Sequence, residues 1–104
     1  MWHGRGVRWR RVLVRGPSMS PTLRDGDVVL VTFGAVARPG DLVLVRWPAR
    51  PGQLSVKRAV GEKNGAWAVH SDNPYGSTDS RELGPAEVLG VVRARLWPSP
   101  RRFR

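Results

Sequence analysis

The sequence contains no cysteine. Disulfide frameworks, thiolate zinc sites and a cysteine nucleophile are therefore excluded. Histidine is scarce: only His3 and His70 could act as an imidazole base or ligand. Neither sits in a motif that would use it, so both read as surface residues and no metal site is argued. Acid is scarce as well, with eight Asp and Glu against eighteen Lys and Arg. Long apolar runs are missing. None is longer than residues 28–31, far short of the ~20 residues that span a membrane. Arg-rich sequence reaches Arg15 with no apolar stretch, so no secretory signal peptide is expected there.

What remains describes one small domain. A chain of 104 residues with 40% hydrophobic and 25% charged residues is ordinary for a globular protein and argues against wholesale disorder. Twelve Gly and nine Pro point to short strands and many turns rather than long helices. The formal charge of +10 is unevenly placed. Residues 1–15 and 89–104 each carry five Arg and no acid, whereas 16–88 balances six Arg and two Lys against eight acids. Basic ends of this kind suit phosphate, anionic lipid or an acidic partner, and they also suit plain solubility.

Gly26-Asp27-Val28-Val29-Leu30-Val31 is echoed fourteen residues later by Gly40-Asp41-Leu42-Val43-Leu44-Val45. Each copy is a Gly-Asp turn running into an apolar, β-branched strand. Further strands are expected at 7–14, 54–60, 66–70 and 89–97. In the last, Val92, Ala94 and Leu96 alternate with Arg93, Arg95 and Trp97. Pro48, Pro51 and Gly52 break the chain between strands, and 71–85 reads as a polar loop. The class is all-β and single-domain: a basic arm over 1–7, a core over 8–98 and a basic tail over 99–104.

Three stretches carry chemistry. They are Gly16-Pro17-Ser18-Met19-Ser20-Pro21-Thr22-Leu23, then Ser55-Val56-Lys57-Arg58, then Ser71-Asp72-Asn73 through Ser77-Thr78-Asp79-Ser80-Arg81. Taken singly, each reads as well as a turn, a solvated strand or a loop with a local ion pair. Together and in this order they resemble the type I signal peptidase family of Ser/Lys peptidases and its relatives in the mitochondrial inner membrane. There, a Ser-Met-x-Pro-Thr-Leu box holds the nucleophile, a later Lys-Arg pair supplies the base, and an Asp-Asn…Ser-x-Asp-Ser-Arg box closes the site. Gly84-Pro85, Gly90 and Trp97-Pro98 also match the family's C-terminal end, so the resemblance covers about residues 8–98. It implies an all-β, signal peptidase/LexA-like catalytic core with a small coiled β-barrel.

By the same resemblance Ser18 is the nucleophile and Lys57 the general base of a serine endopeptidase that needs no cofactor. Ser77 matches the residue that orients the Lys, Asp79 and Arg81 match a structural ion pair, and Ser80 lies beside them. Val12, Val14, Met19, Leu23 and Val56 match the pockets for an extended substrate, although for Leu23 plain core is the better reading. The chemistry explains the pairing, because a Ser hydroxyl is a poor nucleophile until a base takes its proton. A Lys of ordinary pKa (~10.4) is neutral in only about 0.1% of molecules near pH 7.4. Apolar surroundings favour the neutral amine. On a strand, Ser55 and Ala59 share the Lys57 face, which puts no neighbouring carboxylate there.

The chain departs from the family pattern at several points. Gly16 stands where many bacterial relatives carry a Ser hydroxyl that helps hold the oxyanion, a donor worth about 3 kcal/mol where measured. Ser71 stands where the family usually has Gly. Only seventeen residues precede Ser18, with no membrane anchor among them, and only thirteen separate Lys57 from Ser71. The Gly-Pro-Ser-Met, Val-Lys-Arg-Ala and Asp-Asn-Pro strings resemble small anchor-less actinobacterial members, those that mature nickel superoxide dismutase by removing a leader. The expected partner is a protein precursor with an N-terminal leader. The expected location is cytoplasmic or peripheral to an anionic membrane. Two other readings remain: a LexA-like self-cleaving domain, and a non-catalytic basic module in which Trp2, Trp9, Trp97 and Phe103 among the arginines meet nucleic acid or lipid.

Overall fold

The computed structural model describes residues 7–75 and 80–103. Along the chain come β1 (Arg8–Leu13), β2 (Val28–Phe33), β3 (Leu42–Trp47), β4 (Arg50–Lys63), β5 (Ala66–His70), a short helix α1 (Ser80–Leu83), β6 (Glu87–Trp97) and β7 (Arg101–Arg102). All pairings are antiparallel, in the order β1-β2-β6-β3-β4-β5, and β7 adds to β6. The all-β reading therefore holds. Residues 71–85 are not loop throughout, since α1 lies among them. The arm residues 1–6, with Trp2 and His3, lie outside the described residues.

The repeated Gly-Asp signal folds the same way twice. The Arg24 amide donates to the Asp27 carboxylate and the Asp27 amide to the Arg24 carbonyl; Arg38 and Asp41 do the same. Gly26 and Gly40 sit between them at φ 92° and 95°, a backbone state that disfavours any side chain. Each turn launches a strand, β2 and β3, with identical polarity.

Alternation then sorts the apolar residues into two cores. Leu42 and Leu44 of β3 pack with Val14, Met19, Leu23, Val29, Val31, Val56 and Val92. Val43, Val45 and Trp47, on the opposite face, pack with Ala59, Trp67, Val69, Ala86 and Val91. β3 is thus buried on both sides, which explains its continuous Leu-Val-Leu-Val. Burying each such side chain contributes about 1.5–3 kcal/mol.

The expected barrel is not closed. β5 returns toward the start of β6 only through one bridge, in which Trp67 and Ala86 exchange two backbone hydrogen bonds. No ladder follows it among the described residues, because α1 and Gly84-Pro85 occupy the chain just before β6. The tail also differs from expectation. Arg101 and Arg102 pair with Arg95 and Ala94, and Phe103 packs against the first core beneath the Arg101 guanidinium. Some end charge is likewise spent internally: Arg93 donates to the Thr32 hydroxyl, and Arg95 lies 3.6 Å from the buried Asp27 carboxylate.

β6 is shared by both halves of the sheet, pairing with β3 at its start and β2 beyond. The exchange occurs at Gly90, which faces Phe33 on one side and Leu44 on the other. A Cβ there would lie 2.7 Å from Val31 Cγ1 and 2.8 Å from the Thr32 carbonyl oxygen. The close approach of backbones therefore requires glycine. Gly90→Ala should lower stability by about 1–3 kcal/mol, as overpacking does. Chemical denaturation with an unchanged m-value would verify it; wild-type stability in the variant would mean the strands do not meet so closely.

Candidate active site

Ser18 sits on the turn that follows β1. The chain leaves the sheet at Val14, whose amide donates to Asp27 O, and swings round Gly16 at φ 81°. The Gly16 amide is engaged by Asp25 Oδ1 at 2.7 Å. Met19 and Leu23, both fully buried, pin the turn into the first core. The backbone closes on itself through Ser20 to Pro17 and Leu23 to Met19. This leaves Ser18 half-buried, with neither its amide nor its hydroxyl bonded to a described side chain.

Lys57 lies on β4, only 3% exposed, on the same face as Ser55 and Ala59. Its Nζ donates to Ser71 Oγ at 2.9 Å. Next to it, Arg58 points the other way and donates to both Asp72 oxygens, at 2.6 and 3.2 Å, and to the Gly40 carbonyl. The segment 71–73 then reaches back to the Ser18 turn. Thr22 Oγ1 donates to Asp72 at 2.6 Å, the Asn73 amide to Ser18 O and the Asn73 side chain to Pro17 O. The Asp72 amide points at Met19 Sδ. One three-residue segment therefore fastens the turn carrying Ser18 to the strand carrying Lys57.

The two side chains face common space. Ser18 and Lys57 line one cavity of about 190 Å³, together with Trp47, Arg50, Ser55 and Leu83. A second cavity of about 410 Å³ meets the first at Ser18 and is walled by Val12, Val14, Leu44 and Val56. Of the residues matched to substrate pockets, Val12, Val14 and Val56 line this groove. Met19 and Leu23 line neither cavity and belong to the core.

The remaining matched residues fall less completely into view. Ser77 and Asp79 lie outside the described residues. Arg81 is exposed on α1. Ser80 caps the end of β5, its hydroxyl accepting the Val69 amide at 2.9 Å. The Trp47 indole donates to Gly84 O, holding α1 over the first cavity. Two participants are absent from the sequence reading. Ser71 reads there only as a tolerable replacement for Gly, and Arg58 only as the second half of a Lys-Arg pair. Nothing local marks Asp72 as the partner of Arg58; the pairing follows from β4 and β5 lying side by side, with Arg58 opposite His70.

Partial burial pushes the Asp72 carboxyl up, but hydrogen bonds from Arg58 and Thr22 and the Arg58 charge outweigh it and hold it below the ordinary 3.8. A carboxyl depressed in the folded state stabilises the protein above its unfolded pKa, and that stability is lost as pH falls through the folded value. Asp72→Asn should therefore cost about 1–3 kcal/mol at neutral pH, with the deficit against wild type shrinking below about pH 4. Thermal melts over a pH series would measure this. A deficit independent of pH would show that charge on Asp72 is not what holds the segment.

The Peptidase S24-like family profile matches residues 9–93, a span that runs from β1 almost to the end of β6. Among characterised proteins, the Arabidopsis thaliana mitochondrial ATP-independent inner membrane protease subunit 1a is 35% identical over 117 aligned positions, covering 82% of this chain and 68% of that protein. The mitochondrial inner membrane protease subunit 1 of Xenopus tropicalis is 30% identical, and that of Homo sapiens 29%, each over 84% of this chain and 68% and 69% of their own lengths. No helix among the described residues is long and apolar enough to cross a membrane. With these relatives and a matched span that takes in Ser18, Lys57 and the segment joining them, the chain belongs to the Peptidase S24-like family as a signal-peptidase-like protease.

Proposed function

We propose that the protein is a serine endopeptidase in which Ser18 is the nucleophile and Lys57 the general base, and that it removes an N-terminal leader from a precursor protein. The observation that carries this reading is a buried amine lining the same cavity as a half-buried serine, with that amine held by a hydroxyl. Substrate lies as an extended strand along Val12, Val14 and Val56, gaining main-chain hydrogen bonds from the strand edge. Ser18 Oγ attacks the scissile carbonyl carbon as its proton passes to the neutral Lys57 amine. The oxyanion that forms accepts the uncommitted Ser18 amide. The tetrahedral intermediate collapses, the C–N bond breaks, and the leaving amine takes the proton from Lys57. Water, deprotonated by Lys57, then hydrolyses the acyl-enzyme and restores Ser18. The free Ser18 hydroxyl bonds to Lys57 only once substrate fills the groove, a tightening common on substrate binding.

Ser71 has a definite part in this scheme. A neutral amine must aim its lone pair at Ser18, and an N–H committed to Ser71 Oγ fixes that direction. The same reading assigns Ser77 a supporting contact to Lys57 and Asp79 a pair with Arg81. The precursor of a nickel superoxide dismutase is the substrate to test first, on the resemblance of the Gly-Pro-Ser-Met and Val-Lys-Arg-Ala strings. Ser18→Ala and Lys57→Ala should each abolish cleavage of that leader, read by mass spectrometry, with circular dichroism unchanged. Wild-type rate should rise with pH as Lys57 loses its proton, and Ser71→Gly should move that limb while lowering kcat about 10- to 100-fold. Substantial cleavage by either dyad variant would remove the proposal.

The proposed site of action is the cytoplasm or the surface of an anionic membrane, and the basic ends suit the latter. Trp9 and Trp97 are each about 60% exposed, and Arg8, Arg10 and Arg11 accompany Trp9 on β1. Each arginine near such a surface contributes up to about 1 kcal/mol, screened at high salt. The protein should sediment with phosphatidylserine vesicles at low salt and be released as salt is raised. Retention at high salt would instead indicate apolar insertion.

A further inference from the structure

We propose that Arg15 and Arg50 form a subsite for an acidic side chain on the leaving-group side of the scissile bond. Precursors with Asp or Glu in the first few residues after the cut would then be preferred. This rests on the peptidase reading of Ser18 and Lys57 and adds a specificity that the reading does not contain.

The two cavities that meet at Ser18 differ in character. The larger has the aliphatic wall of Val12, Val14, Leu44 and Val56, suited to the small side chains before the cut. The smaller is lined by Arg15, Arg50 and Lys57, with no Asp or Glu in its lining, and Arg15 reaches the larger as well. Three arginines of the sheet are matched by carboxylates: Arg46 by Glu87, Arg58 by Asp72 and Arg95 by Asp27. Arg15 and Arg50 form no ion pair or side-chain hydrogen bond with any described residue. Two uncompensated guanidiniums therefore share one cleft.

The backbone fixes their places. Arg15 comes immediately before the Gly16 turn. Arg50 pairs with Trp47 at the head of β4, while the next pair along is Arg46 with Leu54. Residues 51–53 are thus extra to the ladder, and this bulge, built on Pro51 and Gly52, turns the start of β4 toward Ser18. Gln53 from the bulge lines both cavities. Two like charges held in a partly enclosed cleft repel each other and any cation that enters. A carboxylate relieves both, and guanidinium forks bind it in a directed way.

The test uses labelled peptides with Ala one and three residues before the cut and Asp, Ala or Lys in the two positions after it. Cleavage is measured with wild-type protein, and binding is measured by fluorescence anisotropy with Ser18→Ala. The Asp peptide should bind about five- to tenfold more tightly than the Ala peptide, two exposed ion pairs' worth, and the Lys peptide more weakly than either. That advantage should fall with rising salt and vanish when Arg15→Ala and Arg50→Ala are combined in the Ser18→Ala background. Arg38→Ala, remote from the cleft, should keep it. Equal binding of all three peptides, or a preference that survives the double change, overturns the subsite, as does a preference for acid only before the cut. Wild-type cleavage of the Ala peptide without an Asp preference leaves the peptidase standing and removes the subsite. Arginine-dependent Asp binding without cleavage does the reverse.

Discussion

The segment 71–73 is the constraint on which the rest of the site depends. Ser18 on a turn and Lys57 on a strand have no covalent reason to keep a fixed separation. Here one short stretch binds both: Ser71 takes the Lys57 amine, Asp72 takes Arg58 and Thr22, and Asn73 takes the backbone of Pro17 and Ser18. Its bonds are charge-assisted where they are most needed, at Asp72, and such bonds are roughly twice as strong as neutral ones. Met19 and Leu23 hold the other side of the turn by burial. Position is thus set by apolar packing below and polar fastening above, and neither alone would suffice.

The sheet supplies the frame for that fastening. β4 must lie against both β3 and β5 for Arg58 to meet the segment that follows His70. β3 is held in turn by β6, the strand that also carries β2 and, through it, β1. A displacement of β6 at Gly90 would move the groove wall at Val12 relative to the wall at Val56. Precision at the site is therefore inherited from strand pairing some distance away.

Much of this was legible in the sequence. The Gly-Asp repeat foretold two equivalent turns and strands, and alternation in 89–97 foretold β6. The boxes around Ser18 and Lys57 single out two residues that line one cavity, and the roles given to them rest on the resemblance. What was not legible depends on long-range contacts. The Arg58–Asp72 pair, the contact of Ser71 with Lys57 and the pairing of Arg101 with Arg95 join residues that no local pattern connects. The small coiled barrel rests on resemblance alone, and a helical turn with Gly84-Pro85 stands where a ladder closing it would need strand. Met19 shows the converse difficulty: by resemblance an apolar residue beside Ser18 reads as a pocket wall, yet burial assigns it to the core.

The bridge between Trp67 and Ala86 gives the molecule a seam. Among the described residues β5 meets the start of β6 through two backbone hydrogen bonds, whereas neighbours along the β1-β2-β6-β3-β4-β5 path are joined by ladders of four to six residue pairs, β7 adding to β6 by two. Local opening draws on the least-bonded boundary first. Leu83, which lines the cavity beside Ser18, lies on the α1 side of that boundary. Opening there would part the Trp67–Ala86 bridge and the core contacts that Trp67 and Val69 make with Ala86 and Val91, and would leave the β1, β2, β3 and β6 ladders paired.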